Sequence, residues 1–215
     1  MIFYHLVKDS PYVVRRFVKK LIMAEKTNPI DFGVSTQFNA IRSKWKIDPN
    51  HSEVQFKVKH LMISNVSGTF KLFNGDVESA SGDFNDAKIS FEIDAASIDT
   101  NHEERDGHLK SPLFFDTEKF PKIVFSGALK KKNSNYELEG DLSLCAVKKS
   151  IKMEVEYTGT GLGRFGDTRA GFEVNGKINR KDFGLNFNLL TEAGSLVVGE
   201  EIKLHFDIQL IKQTT

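Results

Sequence analysis

The chain has 215 residues with 30 basic against 29 acidic side chains, a balance that supplies no global field for nucleic acid. That length is enough for one well-buried core, and a single cysteine, Cys145, excludes an internal disulfide. The 18 phenylalanines, against 4 tyrosines and 1 tryptophan, add apolar area without hydroxyls that need partners, which suits a core and equally the wall of a dry cavity.

Within residues 1–22 the charge is lopsided, with Lys8, Arg15, Arg16, Lys19 and Lys20 against Asp9. Ser10-Pro11 reads as a helix start. From there Val13, Val14, Phe17, Val18, Leu21 and Ile22 share one half of a helical wheel, and the four inner cations share the other. This is a basic amphipathic helix or arm, suited to peripheral membrane contact through residues 11–22 or to docking on a partner. No apolar run follows the cations as in a secretory signal, and the segment falls short of the ~20 apolar residues of a membrane span. A cytoplasmic location is the expectation. Met23 opens an ordinary polar sequence and is an alternative start. Residues 24–43 have no apolar period and read as a linker or strap, so an N-terminal unit of 1–43 precedes a domain of 44–212.

From Lys44 the period becomes two. Val54, Phe56 and Val58 alternate with Gln55, Lys57 and Lys59, the mark of a strand with one wet face. His60 shares the inward parity. Phe70 follows in VSGTFKLF, where Gly68 suggests a bend. Asn74-Gly75 and Ser81-Gly82-Asp83 read as turns. Ile89, Phe91 and Ile93 then share a face, and beyond residue 120 so do Ile123, Phe125 and Leu129. YELEGDLSL, IKMEVEY, GFEVNGKI, DFGLNFNL and EIKLHFDIQLI continue the pattern through Leu142, Val155, Phe172, Phe183 and Phe206. The result is about eight or nine antiparallel strands with short connections and no βαβ spacing. Eight such strands closed on themselves enclose room for one small ligand. Between them, SIDTNHEERDGHLKSPLFFD (97–116) predicts one short helix ending in an apolar anchor, placed to lid the barrel.

Chemistry-bearing groups are weaker signals. GTGLGRFG (159–166) imitates a dinucleotide fingerprint but joins two antiparallel strands and reads as a hairpin loop. His102 and His108 are six apart, not the i, i+4 pair of a zinc helix, so no metal site is assigned. Cys145 has no sequence neighbour to serve as its base, and its parity opposes that of Leu144, placing it away from the apolar face. Arg105, Arg169 and Arg180 each sit beside an acid, and a guanidinium at a cavity mouth holds a phosphate or carbonyl head group well.

Taken together, KWKIDPNHSEVQFKVKHLMISNVSGTF, ASIDTNHEERDGHLKSPLFFD, KFPKIVFSG, GDLSLCAVKKSI, RAGFEVNGKINRKDFG and VGEEIKLHFDIQL resemble the YceI-like family over Lys44 to about Ile211. The resemblance implies an all-β fold: an eight-stranded antiparallel lipocalin-like barrel closed by a short helix near 102–110. It implies non-enzymatic binding, sequestration or transport of a polyprenyl lipid or quinone, with no cofactor. An enzyme or stress-response factor working on such lipids at the barrel mouth is the alternative. Two departures stand out: Ala146 replaces a usual glycine, and the secretory signal of many relatives is missing, which sets the cytoplasmic expectation against a periplasmic one. The expected lining is Phe56, Val58, Phe70, Phe91 and Ile93 from the first strands, and Phe125, Leu142, Val155, Phe172 and Phe206 from the later ones. Leu109, Phe114 and Phe115 form the lid, and Arg105, His108 and Arg180 are the head-group candidates. Whether the chain forms a homodimer stays open.

Overall fold

Alternation of apolar and polar side chains, repeated strand after strand, folds this chain into a sheet that closes on itself. The computed structural model describes residues 42–80, 83–187 and 197–214. The amphipathic segment at 11–22, the linker as far as residue 41 and the first two residues of the expected turn at 81–83 lie outside the described residues.

The strands are β1 (Ser43–Ile47), β2 (Glu53–His60), β3 (Ser64–Phe70), β4 (Phe73–Ser79), β5 (Lys88–Asp94) and β6 (Ile98–Asp99). After one helix, α1 (Glu103–Lys110), come β7 (Lys122–Lys132), β8 (Asn135–Leu144), β9 (Val147–Leu162), β10 (Thr168–Asn179) and β11 (Val198–Lys212). Every pairing is antiparallel, and the ring β1-β4-β5-β7-β8-β9-β10-β11 closes through Trp45 opposite Lys212 and Ile47 opposite Leu210. β2, β3 and β6 continue β1, β4 and β5: β11 pairs with β1 and then β2, while β3 pairs with β2 and β6. The eleven segments therefore occupy eight strand positions, three of them bent.

The bends share one level. Asp48 caps a 3-10 turn at Pro49–His51, accepting from the Asn50 amide at 3.1 Å. Asp94 does the same for Ala95–Ser97, accepting from the Ala96 amide at 2.9 Å. Backbone bonds Lys71 N to Ser97 O (3.1 Å) and Asp94 N to Leu72 O (2.9 Å) tie the middle bend to the third. Short polar side chains that bond the backbone two residues on are what allow a strand to turn here without orphaned amides.

Two expectations from the sequence are corrected by the fold. Asn74-Gly75 is not a turn but the middle of β4. Gly75 is there for space: a Cβ would lie 2.8 Å from Ile47 Cδ1 and 3.0 Å from Phe91 Cδ2. DFGLNFNL does not extend as a strand within the described residues, because Arg180–Phe183 forms a 3-10 turn capped by Asn179 and ended by Gly184 at φ 77°.

One barrel end is stoppered. Phe84, only 3% exposed, sits in the β4–β5 connection at φ 57° and drives its ring between Trp45 (5.1 Å) and Phe172 (5.0 Å, edge-on). Tyr136 donates its hydroxyl to the Asp83 carbonyl, holding the connection in place. Beside it, Arg169 bonds Asp48 (2.7 Å), Asp167 (2.6 Å) and Gln209, joining the first bend to β10 and β11.

The other end is spread. The β9–β10 ladder stops at Glu154 opposite Asn175, and among the described residues no ladder joins β6 to β7. Phe183, 2% exposed, packs into the core from the turn that follows β10, while α1 and residues 111–121 pass between β6 and β7 along the chain.

Candidate binding cavity

The lumen is built by parity. Inward residues of every strand but β6 meet there, and the space left between them forms two apolar cavities, of about 100 Å³ toward the Phe84 end and about 150 Å³ toward α1. Ile93, Ile123, Leu142, Leu204 and Phe206 line both, so the two chambers are neighbours that share one ring of the barrel wall.

Phe91, Phe125, Val155 and Phe172 lie on the wall of the stoppered chamber. Phe56, Val58 and Phe70 lie on the wall of the lid chamber, where Leu109, Phe114 and Phe115 also reach the space, and Ile93, Leu142 and Phe206 belong to both. Large rings fit because glycines lie beneath them. A Cβ on Gly68 would stand 2.4 Å from Phe56 Cζ, and one on Gly140 would stand 2.6 Å from Phe125 Cζ. The rings thus lie close against the wall.

The lid owes its position to a buried polar clasp. The Thr100 amide donates to Asp106 Oδ1 (3.0 Å), and the Thr100 hydroxyl donates to the same oxygen (2.5 Å). Arg105 donates from Nε to the Thr100 hydroxyl (2.7 Å) and from Nη2 to the Thr100 carbonyl (2.8 Å). The chain then folds back on the helix end, with Phe115 N bonded to Leu109 O and Thr117 N to Lys110 O, both at 3.0 Å. Phe115 meets Phe70 edge-on at 6.0 Å, and Phe114 lies 4.6 Å from Phe187.

The three head-group candidates separate. Arg180 lines the lid chamber and is buried. Its guanidinium donates to the carbonyls of Gly199 (3.0 Å), Val198 (3.2 Å) and Leu185, and burial pulls its pKa down. Arg105 lines neither chamber, being engaged on Thr100. His108 is exposed and lines neither, its ring edge-on to Phe114 at 5.2 Å. His60 and His102 are also absent from both walls, and His102 caps α1 by accepting from the Arg105 amide.

Cys145 corrects the parity argument. It occupies the β8–β9 turn at φ 53°, where alternation does not apply, and it packs against the core with Sγ 3.7 Å from the Phe115 carbonyl oxygen. Burial, with the Asp116 carboxylate nearby, pushes its thiol up and away from thiolate chemistry. Phe84 was missed by sequence reasoning; a phenylalanine between Asp83 and Asn85 in a polar connection is the signal that could have found it.

A YceI-like domain model matches residues 45–210, a span that contains all the strand positions and the lid. The chain belongs to the YceI-like family. Protein YceI of Salmonella newport is 36% identical over 185 residues, covering 83% of this chain and 92% of its own. A crystal structure of the YCEI protein of Campylobacter jejuni is similar at 31% identity with a TM-score of 0.59, over 74% of this chain and 91% of that one. A polyisoprenoid binding domain from Saccharophagus degradans, implicated in plant cell wall breakdown, shares the fold at a TM-score of 0.59 and 15% identity, over 79% of this chain and 98% of that one. In this YceI-like barrel the lumen is apolar throughout its shared middle ring.

Proposed function

We propose that this YceI-like barrel binds, without catalysing a reaction on it, a long isoprenoid lipid such as a polyprenyl lipid or quinone. The chain of the ligand runs along the lumen, and its head lies at the α1 end. The carrying observation is the ring of Ile93, Ile123, Leu142, Leu204 and Phe206, which the two chambers share and which holds only apolar side chains. A slender, branched hydrocarbon fits such a lumen, whereas a ligand polar along its length would leave its hydrogen bonds unmade there. That the Saccharophagus neighbour is described as a polyisoprenoid binding domain supports the same ligand class.

The magnitudes agree. An apolar cavity of about 150 Å³ holds a benzene-sized group, so each chamber at rest takes roughly an isoprene-sized unit. A longer chain displaces the lid residues Leu109, Phe114 and Phe115. Each buried CH₂ contributes about 0.8 kcal/mol, so a few isoprene units reach the ~8 kcal/mol of micromolar affinity after the costs of association. No polar network is needed for that affinity.

Organic extraction of the purified protein followed by mass spectrometry tests the reading, together with the melting temperature in the presence of a polyprenol or a quinone. Co-purified isoprenoid, or a rise in melting temperature that grows with ligand concentration, is expected. No extracted lipid and no shift with either compound would remove it.

A further inference from the structure

The hairpin tip between β2 and β3 is built against local preference. Leu61 and Met62 hold φ at 49° and 59°, a left-handed backbone that bulky side chains rarely adopt. Tips of this conformation are ordinarily made of asparagine and glycine. Here they are Leu61, Met62 and Ile63, and Met62 is 56% and Ile63 82% exposed. Three adjacent apolar side chains displayed on a strained turn do nothing for the packing of the barrel itself.

Their place is informative. The same hairpin supplies Val58 to the lid chamber, and the Leu61 amide donates to the Val197 carbonyl (2.8 Å) beside the start of β11. Leu113, also exposed, precedes Phe114 in the lid segment. Behind the tip, Lys57 and Lys59 are exposed and outside any ion pair among the described residues. Apolar side chains at the leading edge with flexible cations just behind them match the layers of an anionic membrane surface, acyl boundary first and head groups next. Glu103 and Glu104, exposed in the first turn of α1, oppose a broad electrostatic contact, so the contact is narrow and led by the tip.

We infer that residues 61–63 dock the lid end of the barrel on an anionic bilayer, with Lys57 and Lys59 at the head groups. The lid end of the lumen then faces the lipid from which its ligand comes; that significance, though not the docking itself, rests on the function proposed above. The opposite end also displays apolar side chains, Leu162 and Phe165 on the β9–β10 hairpin. That end is closed by Phe84 against Trp45 and Phe172, so contact there leads to no opening.

The test uses the full chain, with tryptophan placed at one tip at a time as Ile63→Trp or Phe165→Trp. The native Trp45, buried in the wall, supplies the same background emission in both variants. Vesicles of phosphatidylcholine, with and without phosphatidylglycerol, are added, and brominated acyl chains serve as quenchers. The Ile63→Trp signal is expected to shift to the blue and be quenched on vesicles containing phosphatidylglycerol, whatever residues 11–22 do. Met62→Ser with Ile63→Ser weakens partitioning at least about tenfold, and Lys57→Gln with Lys59→Gln weakens it on anionic vesicles only. Quenching in the Phe165→Trp variant without quenching in the Ile63→Trp variant, or quenching in neither, overturns the inference. Quenching in the Ile63→Trp variant of a protein that yields no extracted lipid and no thermal shift upholds docking while removing the proposed ligand.

Discussion

Asp106 and Thr100 fasten the lid to the wall: one carboxylate accepts both the amide and the hydroxyl of one buried threonine, at 3.0 and 2.5 Å. One turn along the same helix face, Leu109 reaches the lid chamber, so a buried polar clasp fixes the height of an apolar side chain beside it. Asp106→Ala leaves a buried amide and hydroxyl without that acceptor, a loss of about 1–3 kcal/mol. Faster hydrogen exchange in 103–115 than in β7 to β10 is the expected signature, with urea unfolding giving the magnitude.

Leu109→Asp addresses the same lid from within. A carboxylate facing the apolar lid chamber stays ionised only by drawing the helix end out toward water. The expected result is loss of extractable or retained lipid with an unchanged far-ultraviolet circular dichroism spectrum. Full retention by the folded variant would place the lid's closing function elsewhere.

Gly68→Ala narrows the wall. The new Cβ would stand 2.4 Å from Phe56 Cζ and 2.8 Å from Thr100 Cγ2, both side-chain atoms, so the Phe56 ring has to swing into the lid chamber. Overpacking of this kind costs about 1–3 kcal/mol. Mass spectrometry of extracted lipid is expected to show shorter chains than in the unsubstituted protein, and an unaltered length distribution would mean that this chamber does not measure the ligand.

Parity carries the sequence reading far because a closed antiparallel barrel has one inside. A residue on the inward side of a strand faces the lumen wherever the strand lies, which is why Phe56 on β2 and Phe172 on β10 could be named together for one cavity. The same rule is blind to height, and only the register assigns Phe172 to the stoppered chamber and Phe56 to the lid chamber. It is also silent in turns. Cys145 turns back toward the lid because its backbone is left-handed, and Phe84 enters the barrel end for the same reason. Gly75 looked like a turn because glycine serves close packing and tight turns alike. Arg180 was legible as a cation near the mouth, but its bonds to the carbonyls of Gly199 and Val198 depend on how β10 and β11 are connected in space.

Phe84→Ala removes the stopper. Deleting a buried phenylalanine ring costs about 3–5 kcal/mol, and here it also opens the chamber end between Trp45 and Phe172. Trp45 is the chain's one tryptophan, so a red-shifted emission and quenching by acrylamide report the opening directly. An unshifted emission would show that neighbouring side chains close the gap.

Acid should release the first bend. Burial works against the Asp48 carboxylate, but the side chains of His51 and Arg169 and the Asn50 amide overcome it and hold its pKa below the ordinary range. A carboxylate depressed on folding stabilises the protein above its unfolded pKa of about 3.9, and the contribution fades as pH falls from there through the folded value. Asp48→Asn is therefore expected to lower stability at neutral pH and to flatten the decline below the unfolded pKa of about 3.9. Urea titrations at a series of pH values compare the two slopes, and parallel curves would show that other carboxylates set the acid limit.

The pairing of Trp45 with Lys212 and of Ile47 with Leu210 has a consequence for how the molecule comes into being. The two strands that complete the ring are the first and last of the described chain, so a growing polypeptide cannot shut its barrel until β11 has been made. Until then β1 has β4 on one side and a bare edge on the other, and the inward phenylalanines have no opposite wall. Contacts between such distant parts of a chain form slowly, and an open edge beside exposed apolar side chains favours pairing with another chain. Residues 210–212 thus act as the clasp of the fold, and nascent chains that stop short of them are the population most exposed to aggregation and most in need of a chaperone.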